Sequence, residues 1–388
     1  MDSTPAPSGI SALLRTVRGV RAPMPPRPKG PLVWLHLPAE IPENSVSELR
    51  AALEDIHLLV TQIDAPLKSD LDQVLPAPRR ANIDQFIAHW QPSVFVWGAP
   101  ENGLSYARRV ARAGGIKQAI ADLAGQGLPQ GVRGRQLIEL LQYQMRVLHG
   151  IRENAEGLDK LGVTLAQSAH CGPLAEVAMP PPENEALLRR ISGALGPRPI
   201  WCAAGVSRGE IGALLTAHRH AVKAIPNLLL IVVPRAASEV ICTQIESEGW
   251  RVSRLNAAAL PEKQTEILLA DNTEDLGTWM RMATVSYMGG TLYGPEAADP
   301  FSAVAVGSAV LCGPMQAPYT TRYVRLKDAG AMAFAETNAG LPKKLVEALA
   351  PDASAALAMQ AWLVGSEGAE VIQILVQEIN ALLEEEAT

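Results

Sequence analysis

The segment from Glu266 to Pro314 constrains the fold of this chain more than any other part of its sequence. It contains three short apolar runs, at 266–270, 284–288 and 308–311, each closed by a small or turn-forming residue. Continuous apolar runs are typical of strands that are buried on both faces of a parallel sheet, and the stretches between them have helical character. The alternation of strands and helices predicts an α/β fold with a parallel sheet.

Three loops follow these strands: 271–275, then Gly289, Gly290 and Thr291, and finally 312–314. Ligands of an open parallel sheet bind beyond the carboxyl ends of its strands, so we expect the three loops to face one cleft. The two glycines would let the backbone approach a bound group closely, and the threonine would supply a donor beside it. The sequence therefore predicts a ligand site at this edge of the sheet.

Length and composition indicate a globular protein of two domains. The 388 residues include 48% hydrophobic side chains, which suits two cores of ordinary size better than one. The net charge of −6 argues against a nucleic-acid partner, because phosphate backbones are bound through clustered Lys and Arg. Widely spaced cysteines without a CxxC pair indicate reduced core residues of a cytosolic protein. We identify no metal-ligand spacing and predict no cofactor.

A run of prolines at 179–184 predicts a linker, because consecutive prolines cannot continue a helix or a central strand. It separates a first domain at 31–178 from a second domain at 185–365. Residues 1–30 form a basic leader without an apolar run long enough for a signal peptide or a membrane span. The leader is either a short amphipathic helix on an anionic membrane surface or a frayed extension.

The first domain shows the same alternation of elements. Apolar runs at 31–37, 56–62 and 93–98 predict strands. Two further stretches, 118–123 and 134–148, are predicted to be helical. The first domain is therefore expected to be Rossmann-like as well.

The motifs of the second domain resemble a known family. The runs ADNTEDLG, MGGTL and AVLCGP, together with LLLIVVPR at 228–235, are similar to motifs of the 3-deoxy-D-manno-octulosonic acid (Kdo) transferases of lipopolysaccharide assembly. The resemblance implies a GT-B glycosyltransferase, with two Rossmann-like domains facing across a cleft and a final helix, within 366–388, packed back on the first domain. It also implies transfer of Kdo from CMP-Kdo to a lipid A precursor by a peripheral protein at the inner face of the cytoplasmic membrane.

The resemblance further implies which residues bind the donor. Arg235, after Pro234, matches a family arginine that helps to hold CMP, and a planar guanidinium suits a phosphate. Ser207 and Arg208 lie in a segment similar to a family motif before a helix, where they would bind an anion; a capping box with Glu210 is an equal alternative. The other positions that match nucleotide-contacting family motifs are Thr273, Glu274, Asp275, Asp299, Pro300, Phe301 and Ser302.

Glu40 matches the family glutamate that acts as general base on the acceptor hydroxyl, in a motif whose Trp and His correspond to Trp34 and His36. It stands two residues closer to the tryptophan than in the family pattern. Several other polar positions of that pattern are also substituted. Two alternatives therefore stay open: a GT-B glycosyltransferase with a different donor or acceptor, and a non-catalytic paralogue that binds a nucleotide or a partner in envelope assembly.

Overall fold

The computed structural model shows two compact α/β units. Val177–Ser366 form unit 2, whereas Met1–Glu176 and Glu367–Thr388 form unit 1. The predicted leader up to residue 23 and the predicted base Glu40 lie outside the described residues. The residues that the structure describes are 24–38, 41–63, 69, 71–98, 104–124, 146–149, 168–235, 239–255, 260–271, 273–294 and 296–384.

Among the residues that the structure describes, unit 1 has a parallel sheet of seven strands in the order β3-β2-β1-β4-β5-β6-β7. Its strand β1 lies between β2 and β4 and is buried along its whole length, as the apolar run LVWLH requires in a parallel sheet. The strands are β1 (Leu32–His36), β2 (His57–Gln62), β3 (Gln73–Val74), β4 (Val94–Trp97), β5 (Lys117–Ala121), β6 (Arg146–His149) and β7 (Ser168–His170). The helices described before residue 177 are α1 (Glu43–Ala52), α2 (Arg80–Trp90) and α3 (Leu104–Ala113).

One helix predicted in unit 1 is wrong. Residues 118–123 were expected to be helical, but most of them belong to β5, which pairs with β4 and β6. The stretch 134–148 ends in β6, and its part up to residue 145 lies outside the described residues. A short apolar run can belong to a buried strand or to a buried helix, and periodicity alone does not separate the two. Here the pairing with both neighbouring strands decides the structure.

Unit 2 contains a second parallel sheet of seven strands, in the order β10-β11-β9-β8-β12-β13-β14. The apolar runs of the segment 266–314 form β11, β12 and β13. The strands are β8 (Ile200–Val206), β9 (Leu229–Pro234), β10 (Val252–Arg254), β11 (Ile267–Leu269), β12 (Val285–Met288), β13 (Ala309–Cys312) and β14 (Met332–Phe334). The helices are α4 (Glu185–Leu195), α5 (Ile211–Ala224), α6 (Glu239–Ser247), α7 (Leu276–Met282), α8 (Pro300–Ala305), α9 (Thr320–Asp328), α10 (Leu341–Leu349) and α11 (Pro351–Glu384).

The strand order of unit 2 reverses beside β8. From β8 the chain passes to β9 on one side, and later it returns to place β12 on the other side. Strands β8 and β12 therefore flank a topological switch point, which is where open α/β sheets bind their ligands. This order brings the carboxyl ends of β8, β9 and β12 to one edge of the sheet.

Helices cover both faces of the unit 2 sheet and create two apolar cores. Consecutive residues of β8 point to opposite faces, so Trp201 enters the core that contains Leu214 of α5, and Cys202 enters the core that contains Trp279 of α7. Both units contain a parallel sheet and are Rossmann-like, which confirms the predicted α/β fold class. Two such domains are what the GT-B fold consists of.

The proline run predicted as a linker packs on unit 2. The N–H of Gly277 donates to the carbonyl oxygen of Pro182 at 3.0 Å. Helix α11 is continuous, and its residues from Glu367 onward belong to unit 1. None of the helices in the described part of the chain combines the length and the apolar character of a membrane span.

Candidate functional site

Arg235 follows β9 directly, at the carboxyl edge of the unit 2 sheet. Its backbone N–H donates to the carbonyl oxygen of Val206 at 3.0 Å, which ties the ends of β8 and β9 together. Its Nε donates to the carbonyl oxygen of Gly205 at 3.4 Å. Because 35% of the side chain is exposed, part of the guanidinium fork faces solvent at the switch point.

The double-glycine turn after β12 lies against the same loop. A Cβ at Gly289 would overlap the carbonyl group of Gly205, which also contacts Arg235. Gly290 has a left-handed φ of +76°, and a Cβ there would overlap the carbonyl group of Glu296. The space that we expected a bound group to approach is thus filled by the chain's own backbone. The structure nevertheless brings Arg235 and the glycine turn together through Gly205.

A pocket of about 250 Å³ opens beside Arg235. Arg235, Asp299 and Ser302 are the predicted donor-binding residues that line it. The other lining residues were not predicted: some, such as Glu296, adjoin Asp299 in one loop, and the rest come from separate helices and loops that form no motif in the sequence. The full lining is Arg235, Leu276, Met280, Met288, Glu296, Ala297, Ala298, Asp299, Ser302, Pro318 and Tyr319.

Asp299 caps helix α8 at the margin of this pocket. Its carboxylate accepts a hydrogen bond from the N–H of Phe301 at 3.0 Å and forms an ion pair with Arg322. The guanidinium of Arg322 lies over the rings of Phe301 and Tyr319, at 5.3 and 4.9 Å from their centroids. Pro300 and Phe301, both predicted to contact the donor, are buried and do not line the pocket.

Glu210 is fully buried and holds the loops of this edge together. One carboxylate oxygen, Oε2, accepts from the N–H and hydroxyl of Ser207 at 2.9 and 3.0 Å and from the N–H of Gly290 at 2.8 Å. The other, Oε1, accepts from the hydroxyl of Tyr287 at 2.6 Å and from the N–H of Leu292 at 3.2 Å. Burial, and secondarily the adjacent carboxylate, raise the pKa of Tyr287, so its hydroxyl stays protonated.

The role of Glu210 goes beyond the capping box that the sequence predicted. Its carboxylate does accept from the N–H of Ser207, as a capping box requires. It also crosses from the loop after β8 to the double-glycine turn after β12. A serine and a glutamate three residues apart signal only the first of these contacts, because the second depends on the strand order.

Thr291 joins the ends of β12 and β13. Its hydroxyl donates to the carbonyl oxygen of Met288 at 2.6 Å and accepts from the N–H of Gly313 at 2.8 Å. The side chain is fully buried. The donor that we expected beside a ligand is therefore engaged by the protein itself.

The remaining predicted donor residues do not line the pocket. The hydroxyl of Ser207 is directed to Glu210, and Arg208 lines a separate groove between α5 and α6. Residues Thr273–Asp275 form a 3₁₀ turn just before α7, and the residue that follows them, Leu276, lines the pocket. Some of the predicted residues therefore line the pocket, and the others lie in the loops and turns around it.

His36, at the end of β1, is a core residue. It is 1% exposed, and its Nδ1 hydrogen-bonds with the carbonyl oxygen of Thr61 at 2.9 Å. Burial lowers the pKa of His36 to about 4, so the ring is neutral at physiological pH. In the described residues, no group of three or more His, Cys, Asp or Glu side chains is placed to hold a metal ion.

Comparison with known proteins finds sequence matches that include two proteins named 3-deoxy-D-manno-octulosonic acid transferase. The relative from Haemophilus influenzae is 27% identical over 172 residues, 43% of this chain, and the match spans 40% of the relative's length. The relative from Bordetella pertussis is 28% identical over 330 residues, 76% of this chain and 73% of the relative. No family model matches the chain.

Solved structures with a distant likeness include two that match different shares of the chain. The C-terminal CMP-Kdo binding domain of WaaA from Acinetobacter baumannii is 20% identical and matches 47% of this chain and 98% of that domain, with a TM-score of 0.41. Anabaena Alr3699/HepE in complex with UDP is 12% identical and matches 92% of this chain and all of that chain (100%), with a TM-score of 0.40. The two sequence matches agree with the resemblance of the motifs, and the chain is similar to proteins named Kdo transferase.

Proposed function

We propose that this chain is a glycosyltransferase that binds a nucleotide sugar at the carboxyl edge of unit 2. The observation that carries the proposal is the pocket beside Arg235, where a partly exposed guanidinium lies at a topological switch point. A guanidinium stays charged and offers a planar fork of donors, which suits the phosphate of a nucleotide. Similarity to the Kdo transferases supports the same class of donor.

In this proposal the donor is CMP-Kdo, and the other walls of the pocket hold the nucleotide. Leu276 offers an apolar surface, and Tyr319 an aromatic ring, against which a base would pack. Ser302 supplies a hydroxyl for the ribose or the phosphate. Backbone groups near Pro234 and in the turn before α7 would complete the contacts at the margin.

The proposed reaction has Glu40 as general base. It removes the proton of the acceptor hydroxyl, whose oxygen bonds to the anomeric carbon of the sugar while the bond to the phosphate oxygen breaks. CMP leaves with the negative charge, which Arg235 stabilises. The acceptor is a lipid A precursor, reached by peripheral contact with the inner face of the cytoplasmic membrane, as the family resemblance implies.

Glu296 and Asp299 favour a second candidate function. Both place a carboxylate on the pocket wall; Asp299 is compensated by Arg322, but the exposed carboxylate of Glu296 would repel the phosphate of a ligand. A glycosyltransferase with a different donor or acceptor accommodates such a change, and so does a paralogue that binds a nucleotide or partner without catalysis.

Calorimetry with CMP, UDP and GDP tests the proposal. We expect CMP to bind, and Arg235→Ala to weaken it at least about tenfold, or ~1.4 kcal/mol, because a charge-assisted contact to phosphate is lost. The control is Arg189→Ala, which removes an exposed arginine paired with Glu185 on the same helix and should leave the affinity unchanged.

Turnover separates the candidates. Release of CMP from CMP-Kdo in the presence of a lipid A precursor would support Kdo transfer. Binding of UDP or GDP in preference to CMP would support a different donor, and nucleotide binding without turnover would support the non-catalytic paralogue. A protein that binds none of the three nucleotides would contradict the proposed function.

A further inference from the structure

We propose that Glu296 sets the affinity of the pocket for anionic ligands, by competing with the ligand's phosphate for the guanidinium of Arg235. The inference rests on the proposed function, because it concerns a nucleotide in the same pocket. Oε2 of Glu296 lies 3.4 Å from Nη1 of Arg235, close to where an anionic oxygen of a ligand would lie. The carboxylate is thus the protein's own anion on that guanidinium.

The backbone that carries Glu296 is held in place, whereas its side chain is not. Gly290 packs against the carbonyl group of Glu296, and the next residue, Ala297, donates its N–H to the carbonyl oxygen of Ala317 at 2.7 Å. The Glu296 side chain is 69% exposed, and its contact with Arg235 is long. The carboxylate therefore stays near the guanidinium but can turn into solvent at small cost.

The other ion pair at the pocket, between Asp299 and Arg322, is not easily broken. The side chains of Asp299 and Arg322 are 27% and 19% exposed, and Arg322 is also stacked over Phe301 and Tyr319. Asp299 caps α8 at the same time. Breaking this pair would leave a partly buried charge without its partner, which is costly. Of the two pairs, the one at Glu296 is the one that a ligand can displace.

Neutralising Glu296 changes the charge that a ligand meets. Arg322 compensates Asp299, and Glu296 compensates Arg235. Glu296→Gln keeps the size of the side chain but leaves Arg235 uncompensated and removes the repulsion between carboxylate and phosphate. Because the pair is largely exposed, screening limits the effect. We expect the Kd for CMP to fall about threefold at low salt, because an exposed ion pair contributes at most about 1 kcal/mol.

The test is calorimetry of CMP and of cytidine with the wild-type protein and the Glu296→Gln variant. CMP carries the phosphate that would meet Arg235, and cytidine does not. We expect tighter binding of CMP, unchanged binding of cytidine, and a gain that shrinks as salt is added. The matched control is Glu248→Gln, which removes the same charge from a comparable surface pair, with Arg219 at 3.3 Å, and should change neither affinity.

The outcomes distinguish this inference from the proposed function. If Arg235→Ala weakens CMP binding but Glu296→Gln leaves it unchanged or weaker, the inference is overturned and the proposed function stands. Equal tightening for cytidine also overturns it, because a neutral nucleoside does not sense the charge of the carboxylate. If neither the wild type nor Glu296→Gln binds CMP, the inference is overturned, and the proposed function is overturned with it only when UDP and GDP also fail to bind.

Discussion

Glu210→Gln tests whether one buried carboxylate holds the ligand edge of unit 2. Glutamine keeps the volume but replaces one acceptor oxygen with an NH₂ donor. With the NH₂ at the position of Oε2, two backbone donors, Ser207 and Gly290, would face another donor. With the NH₂ at the position of Oε1, the hydroxyl of Tyr287 can turn and accept, and only the N–H of Leu292 loses its acceptor. The second orientation is therefore the less costly one.

The magnitude follows from those contacts. One buried N–H without an acceptor costs about 1–3 kcal/mol, and the remaining bonds lose about 1 kcal/mol because their acceptor is no longer charged. Relief of a buried charge opposes part of this loss. We expect a net loss of about 2 kcal/mol in the free energy of unfolding of unit 2. Glu210→Ala should cost more, because Ser207, Gly290 and Leu292 would then all lose the acceptor of their N–H groups.

Urea denaturation followed by tryptophan fluorescence measures this loss. Two units need not unfold in one transition, so the transition assigned to unit 2 must be fitted separately. The exposed substitution Glu248→Gln is the control and should change the stability by less than about 0.5 kcal/mol. If Glu210→Gln were as stable as this control, the hydrogen bonds of the carboxylate would make no net contribution to the stability of unit 2. Glu210 would then not hold the loops of this edge together.

Three further predictions concern the same unit. Burial lowers the pKa of His218 from 6.5 to about 4, so this histidine takes up a proton in the unfolded chain at a higher pH than in the folded protein. Lowering the pH from 7 to 5 therefore favours unfolding, and we expect the wild type to lose about 2 kcal/mol more stability over this range than His218→Gln. Denaturation at both pH values measures the difference. Gly289→Ala should cost about 1–3 kcal/mol in the same assay because its Cβ overlaps a neighbouring backbone, whereas Gly193→Ala, in α4 with open space around it, should stabilise by about 0.5–1 kcal/mol. Tyr323→Phe removes a 2.7 Å hydrogen bond to the carbonyl oxygen of Ala298 and should lower the melting temperature, with a loss of about 1 kcal/mol; equal stability would show that the pocket wall does not depend on it.

Sequence-based prediction of the fold succeeded where burial alone decides an element. Leu229–Pro234 and Val285–Met288 are central parallel strands, and strands covered on both faces are apolar throughout, which makes them visible in the sequence. Residues 118–123 were predicted as a helix, although most of them belong to the strand Lys117–Ala121. Its few apolar residues fit either element, and only pairing with its neighbours separates the two.

The candidate site likewise contains some residues that the sequence predicted correctly and others that it did not. Arg235 was identified from its motif, and it does line the pocket. Glu296 and Tyr319 line the same pocket but were not predicted: Glu296 lies in the same connection as Asp299 and Ser302 without a matched position of its own, and Tyr319 lies in the next connection of the sheet. Thr291, predicted as a donor to the ligand, is engaged by the ends of two strands instead.

The sequence by itself determined the α/β class, the parallel strands of unit 2 and the arginine that follows β9, since each of these depends on a local apolar pattern or a short motif. Only the tertiary structure decided that Glu296 meets Arg235, 61 residues away, and that Glu210 reaches Gly290, 80 residues away. The physical reason is the strand order. It brings distant loops to one edge of the sheet, and no local pattern of residues records which loops will meet there.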